Sequence, residues 1–133
     1  MRNGLMPVWV MLLALFLGAF GAWAGEGQAR GSDPVKKMAG ILIDMNHYPA
    51  EADKAKLQAI ANSEAASVHE RTLANAILGI EHTPADNAKT ELRQIAEDES
   101  APQDVRDLAQ AVLGFQHKPG DEGKKLLRRI LGG

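Results

Sequence analysis

From residue 33 onward, apolar positions recur at intervals of three and four, the spacing that gathers them on one side of an α-helix. Val105, Leu108, Ala109, Val112 and Phe115 follow it, and Ala88, Leu92, Ile95 and Ala96 form a second stripe. The stripes come in pairs, with a short turn inside each pair. Stretches rich in Ser, Asn and acids, 62–67 and 97–102, set one pair off from the next. The pattern predicts an all-helical chain of successive helix–turn–helix hairpins.

The hairpins are copies of one another. Displaced by 35 positions, 51–85 lies over 86–120 with 14 identities. Lys54, Leu57, Ile60 and Ala61 recur as Lys89, Leu92, Ile95 and Ala96. Arg71, Leu73, Ala74, Leu78 and Gly79 recur as Arg106, Leu108, Ala109, Leu113 and Gly114. Upstream, Lys36, Met38, Ala39, Ile43 and the turn His47-Tyr48-Pro49 supply another copy, and Lys124, Leu127 and Ile130 continue the pattern to the C-terminus. An amphipathic hairpin cannot bury its apolar face alone, so such units stack, and about three are needed to hold together. The expected architecture is a short right-handed α-solenoid of three tandem hairpins over 33–133. In each turn Pro49, Pro84 and Pro119 suit the first position of the following helix. Glu51, Asp86 and Asp121 then place a carboxylate at its positive end, and Asp33 is the expected N-cap of the first helix.

The spacing of the matched residues resembles the HEAT-like repeats, in particular the short type found in phycobilisome-lyase proteins. Val105-Arg106, Ala109 and Leu113-Gly114 carry that likeness, as do Arg71, Ala74 and Leu78-Gly79, with Glu70 where Val is usual. The first copy departs from it, Ile43-Asp44 standing in place of Leu-Gly. Tetratricopeptide and Sel1-like repeats share the Leu-Gly and a similar period but fit the turn spacing less well. The resemblance implies stacked helices and an interaction role; no lyase position is matched. It also implies an internal ladder in which Arg71 and Arg106 pair with acids such as Glu64 and Glu99.

The first 24 residues carry a different pattern. Arg2, an apolar run from Val8 to Phe20, and Ala22-Trp23-Ala24 have the layout of a signal peptide cleaved after Ala24. An uncleaved membrane anchor is the lesser alternative. Residues 25–32 read as a flexible linker. The expected address is periplasmic or extracellular, with no stable membrane insertion after cleavage. The remaining chain has a net charge of about −3 and only Tyr48 and Phe115 as aromatics, which argues against a nucleic-acid partner. With no cysteine there is no disulfide framework and no thiolate chemistry.

Three features bear on function. His47, His82 and His117 form a column, one per copy at the same turn, and imidazole is the commonest metal ligand. In an open stack with helices about 8–10 Å apart the three could not share one ion, so the preferred reading makes them partners of helix C-terminal carbonyls. Lys54, Lys89 and Lys124 form a second column, a candidate stripe for an acidic partner. The last helix keeps Leu126, Leu127, Ile130 and Leu131 with nothing after it to cover them, making Leu126 and Leu131 candidates for partner binding or self-association. His69-Glu70 lacks the second histidine of a metalloprotease motif, leaving His69 a solvent-facing residue. No catalytic constellation is present. The sequence therefore points to a non-enzymatic, cofactor-free interaction module that holds another exported or envelope protein. Metal or haem binding by the histidine turns is the alternative.

Overall fold

The computed structural model describes residues 32–132. The expected signal peptide, and the expected linker apart from Ser32, lie outside the described residues. The described part folds into six helices: α1 Asp33–Ile43, α2 Glu51–Ala61, α3 Val68–Leu78, α4 Asp86–Glu97, α5 Gln103–Leu113 and α6 Asp121–Gly132. It contains no strand, and no helix in it is long and apolar enough to cross a membrane.

The arrangement of the copies differs from the sequence-based expectation. Helix α2 packs along α3 and α4 along α5, each across a short polar connection, and α6 packs along α1 with no connection between them. The first helices of the three copies, α1, α3 and α5, also touch one another. The result is a closed ring with approximate threefold repetition, not an open solenoid. In an open stack α1 and α6 would each leave an apolar face uncovered; closure gives each the other as its cover. Leu127 and Ile130 are accordingly buried, and so is Leu126.

Burial follows the repeat. The equivalent trios Met38/Leu73/Leu108, Ala39/Ala74/Ala109 and Leu42/Ile77/Val112 are fully buried on α1, α3 and α5. Leu57, Leu92 and Leu127 are the fully buried anchors of α2, α4 and α6. Burying each such leucine stabilises the fold by roughly 1.5–3 kcal/mol relative to leaving it exposed, and the alanines let helix backbones approach.

Helix ends refine the expected boundaries. Ser32, not Asp33, is the N-cap of α1, its side chain accepting from the Val35 N–H at 3.3 Å. Helix α3 opens with a capping box: Ser67 Oγ accepts from the Glu70 N–H at 3.1 Å, and Glu70 Oε1 from the Ser67 N–H at 2.8 Å. Ser32 Oγ also donates to Glu70, tying the start of α1 to the start of α3. Glu70 stands where Val35 and Val105 stand in the other copies, and these bonds offset the cost of burying a carboxylate there. Pro49 and Pro84 precede the N-caps Ala50 and Ala85 instead of opening their helices. The acids do lie in the first turns, Glu51 3.3 Å from Lys54 and Asp86 3.6 Å from Lys89.

Candidate metal centre

Helices α1, α3 and α5 run from Ser32, Ser67 and Pro102 toward a common end, where each turns back into the second helix of its copy. The turn is made by the histidine. His47, His82 and His117 have φ of 67°, 72° and 66°, the only positive values among the described non-glycine residues. Left-handed backbone is disfavoured for any residue with a Cβ, though histidine enters it more often than most. Within each turn the residues either side of the histidine are drawn together, and Tyr48 N–H donates to the Asn46 carbonyl at 2.7 Å.

The three turns then join. His82 N–H donates to the His47 carbonyl at 2.7 Å, His117 N–H to the His82 carbonyl at 2.5 Å, and His47 N–H to the His117 carbonyl at 2.5 Å. Each histidine peptide thus gives one bond and receives one, in a triangle that passes once around the ring. The role expected from the sequence, as partners of helix C-terminal carbonyls, concerned the imidazoles; the amides of the same residues bond each other.

Above this triangle the side chains converge. The ring centroids of His47, His82 and His117 are 5.0–5.2 Å apart, and His82 Nδ1 lies 3.2 Å from His117 Nδ1. One nitrogen from each ring can be chosen so that all three lie within 4.8 Å of one another. Spacing in an open stack excluded a shared ion; ring closure removes that objection. At zinc–nitrogen distances of 2.0–2.1 Å, tetrahedral ligand nitrogens sit about 3.3 Å apart, within reach of small ring rotations. No other His, Cys, Asp or Glu joins this cluster among the described residues. The carbonyl ends of α1, α3 and α5 and the amide ends of α2, α4 and α6 meet at this end of the ring, so the helix dipoles oppose one another there and leave the choice of ligand to the imidazoles.

No protein-family model, curated protein or solved structure matches this chain.

The other candidate residues lie outside the histidine cluster. Lys54, Lys89 and Lys124 hold equivalent places in the first turns of α2, α4 and α6, and Lys54 lines a cavity together with Glu81 and His82. Leu126 is buried and Leu131 is exposed. Arg71 donates to the Ser63 carbonyl at 3.3 Å and Arg106 to Gln103 at 2.9 Å; neither pairs with Glu64 or Glu99. His69 is only partly exposed and lies 3.1 Å from Asp98 across the α3–α4 contact. The Ser100 hydroxyl and amide, and then His69, hold the Asp98 carboxyl below its ordinary range. Sequence reasoning did not find the Arg129–Asp107 contact, at 3.3 Å between α6 and α5, where Asp107 is buried and also accepts from Gln103. An acid on the apolar side of a helix was its only signal.

Proposed function

We propose that the protein binds one divalent transition-metal ion through His47, His82 and His117. One observation carries the reading: three histidines, each from a different copy, hold an unfavourable backbone conformation and bring their imidazoles within 4.8 Å. If only the turn mattered, glycine would adopt positive φ without steric cost. Three nitrogen donors without thiolate suit zinc, copper(II), nickel or cobalt better than soft or hard ions. Joined to the N-terminal segment read as a signal peptide, the proposal is an exported metal-binding protein.

The interaction-module reading is the second proposal. It draws on the hairpin repeat and on the resemblance to HEAT-like scaffolds. Its support in the uncovered last helix is weaker, since α6 lies against α1 and Leu126 is buried. Leu131 remains as an exposed apolar residue.

Zinc titration of the full-length chain by calorimetry tests the first reading. One ion per chain is expected, with binding lost in His82→Gly and in His117→Gly. An ion that raises stability does so by about 2.7 kcal/mol at a hundredfold excess over its dissociation constant, so thermal unfolding should shift upward with zinc in the native chain only. Equal zinc affinity in native and variant chains would exclude the histidine cluster.

A further inference from the structure

We propose that an ion held by His47, His82 and His117 keeps an outward coordination position open and takes there one exchangeable small anion, such as hydroxide, azide or a carboxylate. This rests on the metal reading above and adds the class of ligand that completes the site. Donor count is the first ground. The cluster offers three nitrogens, no cysteine is present, and a four-coordinate ion therefore lacks one ligand from this chain.

Direction is the second ground. On the protein side, the axis is occupied by the triangle of histidine peptides, whose amides and carbonyls are already bonded to each other. On the other side the three histidines are exposed. The unfilled position faces solvent, where a ligand can enter and leave without any movement of the helices.

Charge is the third. Neutral imidazoles leave the double positive charge of the ion uncompensated, and among the described residues no carboxylate comes within ion-pair distance of the three rings. The charged residues that line the cavities beside the histidines are of both signs, Asp44 and Asp53 at His47 and Lys54 and Glu81 at His82. An anion is the ligand this site lacks.

Cobalt(II) loaded into the full-length chain reports on the site through its visible bands, and azide is the probe anion. The expected result is one cobalt per chain and a band shift that saturates at one azide per cobalt, reverses on dilution and is absent in His82→Gly. Bands indifferent to azide, with one cobalt bound, would overturn the open position and leave the metal reading standing. Two chains per cobalt would overturn it too, since a second copy would then fill the shell. Failure to bind cobalt at all, or an undiminished azide response in His82→Gly, would overturn both.

Discussion

The histidine turns are the place where side chain and backbone ask for different residues. A left-handed residue with a Cβ costs about 1–2 kcal/mol relative to glycine, and the chain accepts that cost at His47, His82 and His117 alike. Their amides contribute to the ring in any case, so a glycine would keep the peptide triangle and lose only the imidazole. In metal-free protein, His82→Gly should therefore be as stable as the native chain or slightly more so. His82→Ala keeps the steric cost and should be the less stable of the two by about 1 kcal/mol; urea unfolding of the two variants side by side measures the difference. If His82→Gly were strongly destabilising, the imidazoles would be packing groups and not donors. The sequence marked these residues by their recurrence at one turn. It could not mark their convergence, because that depends on how α6 meets α1, roughly a whole domain apart in the chain.

At the scale of the element, helix identity was legible and helix ends were not. The apolar trios ending in Leu42, Ile77 and Val112 are buried as their spacing implied. Ser32 caps α1 where the sequence pointed to Asp33, since both residue types cap helices and only geometry distinguishes them. The Leu-Gly pairs mislead in another way. Gly79 and Gly114 end their helices at φ of −86°, not in the left-handed conformation that usually selects glycine, and a Cβ on Gly79 would meet Asn75 O at an ordinary 3.6 Å. Asp44 fills the same place in the first copy without strain. Gly79→Ala should accordingly be neutral or stabilising by up to about 1 kcal/mol. Gly79→Pro removes an N–H bonded to Asn75 O at 3.1 Å and should cost about 3 kcal/mol or more. Thermal unfolding of the pair checks both signs.

For the whole molecule, the decisive fact is that two of three equivalent helix contacts are bridged by chain and the third is not. The connections 62–67 and 98–102 do for α2–α3 and α4–α5 what packing alone does for α6–α1. A circular permutant that joins 132 to 32 through a six-residue linker and opens the chain within 62–67 should fold to the same ring, with helical circular dichroism and zinc stoichiometry unchanged. Deletion of one 35-residue copy should instead leave apolar faces exposed and yield an aggregating or unfolded chain. Period and hairpin count were readable from self-similarity; closure was not. The same repeat supports an open stack or a ring, and the angle between successive hairpins that decides between them leaves no mark on the apolar period.

The peptide triangle reverses the ordinary ranking of mobility along a chain. Turns between helices usually exchange their amide hydrogens with solvent early, through local fluctuations that leave the core intact. Here the amide of each histidine is bonded to another copy's carbonyl, so releasing any one of them means parting two hairpins at the axis. The His47, His82 and His117 amides should exchange in deuterium oxide at nearly the rate of the innermost helical amides, and all three together. Three exposed side chains would then stand on some of the slowest backbone among the described residues.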